Sequence, residues 1–119
     1  MSAHTTNPEL IHVVQLLVRT ANAEHAAVWD AVAKKLQKSK HQRVTVNISR
    51  INRHTTTNET VVVPGKVLGS GVLTHPVTVA AVSCSRQARE KIEGAGGKYL
   101  AIPVLLQENP AGSGIRVMG

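Results

Sequence analysis

The sequence of 119 residues carries 14 Lys and Arg against 7 Asp and Glu, a net charge of +7, and its pI is near 10.2. Its hydrophobic content of 42 % excludes a disordered chain, and its length suits one domain, which we assign to residues 1–119. No apolar run approaches the roughly 20 residues that span a bilayer, and no secretion signal is evident, so we expect no membrane partner and a cytoplasmic location.

Residues 8–37 are predicted to form a hairpin of two amphipathic helices. Asn7 is a good N-cap and Pro8 a good first helical residue. Apolar residues then recur at helical spacing: Leu10, Val13, Val14, Leu17 and Ala21. A second apolar stripe, from about residue 26 to residue 37, contains Trp29, which we interpret as a core anchor rather than a base-stacking residue.

The next segment is strongly basic. Residues 34–53 hold seven of the 14 basic residues, and no acid occurs between Asp30 and Glu59. A merely soluble charged face normally mixes both signs, whereas Lys and Arg alone suit phosphates because they neutralise charge and release counterions. We therefore predict a polyanion-binding segment at residues 38–60, extended and then looped, and held to the body by Val44, Val46, Ile48 and Ile51.

Sequence-specific DNA binding is a weaker interpretation of the same charge. A helix-turn-helix protein presents its base-contacting side chains from a recognition helix that follows a tight turn. Here the basic residues lie at the end of a helix and in a predicted extended segment.

Residues 61–107 are predicted to form a β-β-α core. Two β-branched runs, at residues 61–63 and 77–82, precede a helix from Ser85 to Glu93. We expect this helix to carry two exposed i,i+4 ion pairs, Arg86–Glu90 and Arg89–Glu93. Gly94 is expected to end it in a left-handed conformation. A strand region is predicted over residues 98–106, and residues 108–119 are predicted to be a flexible tail.

No motif in the core predicts catalysis. The glycines around Lys66 fail as a phosphate loop because valine, not Ser or Thr, follows the lysine. Cys84 lies before a helix, where a thiol pKa can fall, but a lone cysteine is more often a core residue. The six histidines show no metal-ligand spacing. We therefore expect no enzyme activity, no metal, no cofactor and no small-molecule substrate.

Several segments together resemble a known family. Residues 67–73 (VLGSGVL), 77–79 (VTV) and 83–97 (SCSRQAREKIEGAGG) are similar to the large-subunit ribosomal protein eighteen of archaea and eukaryotes, which is related to bacterial ribosomal protein fifteen. The resemblance extends to the first helix, to residues 46–53 (VNISRINR) and to residues 112–117 (GSGIRV). The long glycine- and basic-rich extension of the bacterial proteins is missing, which favours the archaeal type.

The resemblance implies both a fold and a function. The fold is α/β, with an N-terminal helical hairpin and an irregular β-β-α superhelical core. The function is that of a structural constituent of the large ribosomal subunit, which binds large-subunit rRNA, contacts neighbouring ribosomal proteins and supports translation. The alternative is a stand-alone RNA- or DNA-binding regulator, which would bind short targets without joining the ribosome.

The predicted RNA-binding residues combine the basic segment, Lys66 and the glycine-bordered tail. Arg50 and Arg53 match the basic segment of the family, and Arg116 is expected to become ordered on contact with rRNA. The full set is Lys34, Lys35, Lys38, Lys40, His41, Arg43, Arg50, Arg53, His54, Lys66, Ser113 and Arg116.

Overall fold

The computed structural model describes residues 8–37 and 44–119, which contain five helices and five strands. The helices are α1 (Pro8–Glu24), α2 (Ala27–Leu36), α3 (Ile48–His54), α4 (Arg86–Gly94) and α5 (Ile102–Glu108). The strands are β1 (Val44–Asn47), β2 (Thr60–Leu68), β3 (Thr78–Cys84), β4 (Lys98–Ala101) and β5 (Ile115–Val117). The predicted α/β class is confirmed.

The five strands form one parallel sheet with β2 at its centre. One edge of β2 pairs with β3, which in turn pairs with β4. The other edge is shared: β5 lies beside the first residues of β2, and β1 lies beside residues 65–68. At Gly65 a Cβ would lie 1.9 Å from the carbonyl oxygen of Val44, so β1 can approach β2 this closely only because residue 65 is glycine.

Helices cover both faces of the sheet, as its parallel strands require. Alternate side chains of β2 point to opposite faces, so Val62 packs in a cluster with α1, α2 and α5. Val61 and Val63 pack in a second cluster, with α3 and α4. The result is a three-layer arrangement in which the sheet is the middle layer.

The helical hairpin forms as predicted. α1 ends before His25, which has a positive φ of 53°, and α2 begins two residues later. Trp29 in α2 is fully buried, and its indole Nε1–H donates to the carbonyl oxygen of Pro110 at 2.8 Å. The interpretation of Trp29 as a core anchor is confirmed.

Two segments that we predicted to be extended contain helices. The sequence predicts an extended conformation over residues 44–51, but the strand ends at Asn47 and α3 follows it. Ile48 and Ile51 are both fully buried, and their i,i+3 spacing places them on one helical face. Residues 98–106 divide in the same way, because α5 begins at Ile102 with Pro103 in its first turn, a position that suits proline.

The end of α4 and the end of the chain also differ from the prediction. Gly94 is the last residue of α4, and the left-handed conformation belongs to Gly96, whose φ is 89°. The predicted flexible tail contains β5, and Arg116 in that strand is in register with Val61 of β2. The end of the chain is therefore part of the sheet.

Candidate nucleic-acid interface

Helix α3 presents three of the predicted residues to solvent. Arg50, Arg53 and His54 are exposed, while Ile48 and Ile51 bury the opposite side of the helix. Arg50 and Arg53 are three residues apart, so their side chains are neighbours on the same surface of the helix. A helix of seven residues is too short to be stable alone, so its position depends on tertiary contacts.

The loop after β2 supports the amino-terminal end of α3. The backbone N–H of Ser49 donates to the carbonyl oxygen of Ser70 at 3.0 Å. Gly71 has a positive φ of 102°, and a Cβ on it would lie 2.4 Å from the Cβ of Ser49. Lys91 of α4 holds the same loop, because its Nζ donates to the carbonyl oxygens of Gly69 at 2.6 Å and Gly71 at 2.5 Å. The loop therefore joins α3 to α4.

Side chains fix the carboxyl-terminal end of α3. Thr55 is buried, and its hydroxyl donates to the carbonyl oxygen of Ile51 at 2.7 Å and lies 2.8 Å from His75 Nε2. Asn52 Oδ1 accepts from both the backbone N–H and the hydroxyl of Thr74, each at 3.0 Å. With both ends held by residues 69–75, α3 presents its two arginines from a fixed position.

Lys66 occupies the neighbouring strand. Its register partners are Thr45 of β1 and Ser83 of β3, and all three residues are exposed. Lys66 is thus flanked by two hydroxyl-bearing residues in the carboxyl-terminal part of the sheet. Val67, the next residue of β2, packs with α3 and α4, so Lys66 lies on the opposite face of the sheet from α3.

Ion pairs compensate five of the cations in the described ranges. The exposed pairs are Lys34–Asp30 (3.1 Å), Arg86–Glu90 (3.4 Å), Arg89–Glu93 (3.3 Å), Lys98–Glu108 (3.7 Å) and Arg116–Glu59 (3.1 Å). Both pairs predicted on α4 are among them. Among the exposed cations of residues 8–37 and 44–119, Arg19, Arg50, Arg53 and Lys66 form no such pair. Uncompensated positive charge therefore lies on α1 and α3 and in β2.

The remaining predicted residues have other surroundings. Lys34 is neutralised by Asp30, and Lys35 Nζ donates to the carbonyl oxygen of Gly119 at 3.0 Å. Ser113 is exposed, and its carbonyl oxygen accepts from the side-chain amide of Asn109 at 3.0 Å. Four further predicted residues lie outside the part of the chain that the structure describes: Lys38, Lys40, His41 and Arg43.

Arg116 lies at the other end of β2 from Lys66. It is in register with Val61, five residues before Lys66, which is roughly 16 Å along a strand. Its guanidinium Nε donates to Glu59 Oε2 at 3.1 Å. The backbone N–H of Thr56 and then Arg116 hold the pKa of Glu59 below its ordinary value. Arg116 is thus already held in place by an ion pair with Glu59 of the same chain.

Cys84 does not have the surroundings of a reactive thiol. It lies immediately before the N-cap Ser85 of α4, but burial raises the pKa of the thiol. Arg89 lowers this pKa and Glu93 raises it, and both effects are smaller than that of burial. A raised pKa reduces the thiolate fraction at neutral pH, which is the opposite of what a nucleophilic cysteine requires.

Across residues 8–37 and 44–119, no group of three or more His, Cys, Asp and Glu is placed to hold a metal ion. No helix in those ranges has the length and apolar character needed to cross a membrane.

Comparison with known proteins gives consistent matches along nearly the whole chain. The profile of the family described as "Ribosomal protein 60S L18 and 50S L18e" matches residues 2–119. The large ribosomal subunit protein eL18 of Methanothermobacter thermautotrophicus is 49 % identical over 95 % of this chain and 93 % of its own length. The eL18 protein of Archaeoglobus fulgidus is 47 % identical over 95 % and 97 %, and that of Methanoregula boonei is 42 % identical over 95 % and 93 %.

Proposed function

The chain belongs to the family of ribosomal proteins 60S L18 and 50S L18e, and from this membership we propose that it is a structural constituent of the large ribosomal subunit. In this role it binds large-subunit rRNA, contacts neighbouring ribosomal proteins and acts in the cytoplasm without catalysing a reaction. The observation that carries the proposal is the match to relatives named as large-subunit proteins along 95 % of the chain.

We assign the main rRNA contact to Arg50 and Arg53, and a separate contact to Lys66 on the opposite face of the sheet. These cations have no acidic partner in the described ranges, so binding a phosphate does not require them to break an existing ion pair. The arginines can engage two phosphate oxygens each, which strengthens and orients the contact. The arrangement of α3 against residues 69–75 keeps both guanidinium groups on one fixed surface.

The other predicted cations would contribute less. Lys34 and Arg116 would have to exchange carboxylate partners for phosphates, which is feasible because surface ion pairs are weak. Lys38, Lys40, His41 and Arg43 remain sequence-based members of the proposed surface.

A double substitution, Arg50→Ala with Arg53→Ala, tests the assignment. We expect weaker binding to large-subunit rRNA and a slope of log affinity against log salt that is smaller by about two, because each lost phosphate contact accounts for roughly 0.9 in duplex nucleic acid. The melting temperature should change little, since both side chains are exposed and unpaired among the described residues.

The matched control is Arg86→Ala with Arg89→Ala. It removes the same charge from α4, where both arginines already face acids, and it should leave the affinity and the salt slope nearly unchanged. Equal losses in the two double variants would show that net charge, and not the α3 surface, controls binding.

Sedimentation tests the proposal as a whole. The tagged chain expressed in an archaeal host should sediment with large subunits and remain with them at moderate salt. A chain that stays at the top of the gradient, and that binds short RNA or DNA targets selectively, would instead be the stand-alone regulator.

A further inference from the structure

The last turn of α3 is closed by a side chain. In α2, α4 and α5 the residue after the helix donates its backbone N–H to the carbonyl oxygen four residues earlier, at 3.1, 3.1 and 2.8 Å. In α3 the corresponding residue is Thr55, whose backbone is extended, and its side-chain hydroxyl donates to the carbonyl oxygen of Ile51 at 2.7 Å. The turn that carries Arg53 and His54 therefore depends on the orientation of one hydroxyl group.

His75 determines the orientation of this hydroxyl. The Nε2 atom of His75 lies 2.8 Å from Thr55 Oγ1. A threonine hydroxyl has one proton, and the proton of Thr55 is used in the bond to Ile51 because a carbonyl oxygen can only accept. The hydroxyl oxygen must then accept from His75, so Nε2 of the imidazole carries a proton and donates it to this bond. Thr55 is buried, which makes its hydroxyl rely on protein partners.

The segment before His75 is attached to α3 by other bonds. The backbone N–H and the hydroxyl of Thr74 both donate to Asn52 Oδ1 at 3.0 Å, and the backbone N–H of Ser49 donates to Ser70. These bonds hold the beginning and the middle of the helix, whereas the imidazole acts on its end. Loss of the imidazole donor should therefore release the last turn while the rest of α3 stays attached.

We infer that His75 is a positioning residue for the rRNA contact of Arg53. Its Nε2–H directs the hydroxyl of Thr55, and the bond from that hydroxyl holds the last turn of α3 in place. The inference rests on the proposed function, because it states how one of the assigned cations is presented. It also separates the two arginines of the helix, since Arg50 lies in the first turn, next to the bond between Ser49 and Ser70.

The test replaces His75 and measures how the full-length protein binds transcribed large-subunit rRNA over a range of salt concentrations, below the melting temperature of every variant. Glutamine can place an N–H donor where Nε2 of the histidine lies, whereas asparagine is too short to reach Thr55. His75→Asn should weaken binding at least about fivefold and reduce the salt slope by one phosphate contact, roughly 0.9 in duplex nucleic acid. His75→Gln should bind like the unchanged protein.

A second substitution at each end of α3 shows which arginine is affected. In a chain that already carries Arg53→Ala, His75→Asn should not reduce the salt slope further, whereas in a chain that carries Arg50→Ala it should still do so. Thr55→Val removes the hydroxyl at nearly constant shape, and it should reproduce the smaller slope of His75→Asn.

Three results would overturn the inference. A His75→Asn variant that loses stability but keeps its affinity and salt slope would show that the imidazole only stabilises the fold. A further loss of slope in the Arg53→Ala chain would show that His75 contacts rRNA itself. A Thr55→Val variant with the full slope would show that the hydroxyl does not hold the last turn.

The sedimentation experiment keeps the two proposals distinct. If the unchanged chain enters large subunits and the His75→Asn variant keeps the full salt slope, the ribosomal role stands and only the inference about His75 fails. If the unchanged chain neither enters large subunits nor binds their rRNA, the proposed function fails, and the inference that rests on it fails too.

Discussion

Lys91 provides the sharpest test of how the candidate surface is held in place. Its ammonium group donates to the carbonyl oxygens of Gly69 and Gly71, and the residue between them accepts the backbone N–H of Ser49 at the start of α3. Lys91→Met keeps most of the aliphatic stem but leaves both carbonyl groups without this donor. The change should loosen the connection between α3 and α4.

The expected cost follows from the two lost hydrogen bonds. A hydrogen bond to a charged group contributes about 1.5–3 kcal/mol, and the side chain of Lys91 is only half-buried, so we take the lower value for each bond. The free energy of unfolding should then fall by about 3 kcal/mol. An unfolding entropy of about 0.25 kcal/mol/K for a chain of this length converts the loss into a melting temperature about 12 °C lower.

The assay is thermal and urea unfolding followed by circular dichroism, with Lys98→Met as the control. Lys98 is exposed and lies 3.7 Å from Glu108, and a surface pair of this kind contributes at most about 1 kcal/mol. The reasoning would be refuted if Lys91→Met cost no more stability than Lys98→Met, because the two bonds to the loop would then contribute nothing beyond an ordinary surface contact.

Three further predictions concern a pair of glycines, Cys84 and Glu59. Gly71→Ala should lower the free energy of unfolding by at least about 2 kcal/mol, because φ is 102° and a Cβ would lie 2.4 Å from the Ser49 Cβ. Gly94 has open space around it, so Gly94→Ala should raise the free energy of unfolding by about 0.5–1 kcal/mol in the same urea titration. A Gly71→Ala variant more stable than Gly94→Ala would contradict both expectations. Cys84 should react with iodoacetamide at pH 8 more slowly in the folded protein than in urea, because burial raises its pKa; equal rates would show that the thiol is not shielded. Ionised Glu59, whose pKa is lowered on folding, contributes stability that is present above its ordinary value of 4.5 and lost as the pH falls through the lower folded value. Glu59→Gln should therefore flatten the stability profile in that acid range, and a profile parallel to that of the unchanged protein would argue against the contact with Arg116.

The local elements were predictable where periodicity and capping act within a few residues. The apolar stripe of the second helix identified Trp29 as buried, and the structure places it in the core with a fully enclosed indole. Ser85 caps α4 by accepting the backbone N–H of Ala88 at 3.1 Å, and serine before a helical run is a local signal of a helix start. The family could also be identified from contiguous motifs, because these require no knowledge of contacts.

The sequence predicted which basic residues belong to the candidate site, but not how they are arranged in space. Arg50 and Arg53 were identified from a run of basic residues without acids, yet the sequence prediction placed them in an extended segment. Their helical arrangement depends on Ile48 and Ile51 packing beneath the sheet, and two apolar residues three apart fit a short helix and an irregular strand almost equally well. The pairing of Arg116 with Glu59 spans 57 positions in the chain and has no local signal.

Sequence alone thus determined the family, the basic character, the hairpin and the helix after Ser85, because each depends on residues close together in the chain. Tertiary structure decided which cations remain uncompensated, why Gly65 and Gly71 must be glycine, and that the tail adds a strand to β2. Those features arise from contacts between distant segments. Lys91 of α4 donates to the carbonyl oxygen of Gly69, and the backbone N–H of Ser49 donates to that of Ser70. β5 pairs with the part of the β2 edge that β1 does not cover. Local preferences are too weak to specify such contacts, and packing around the central strand selects them.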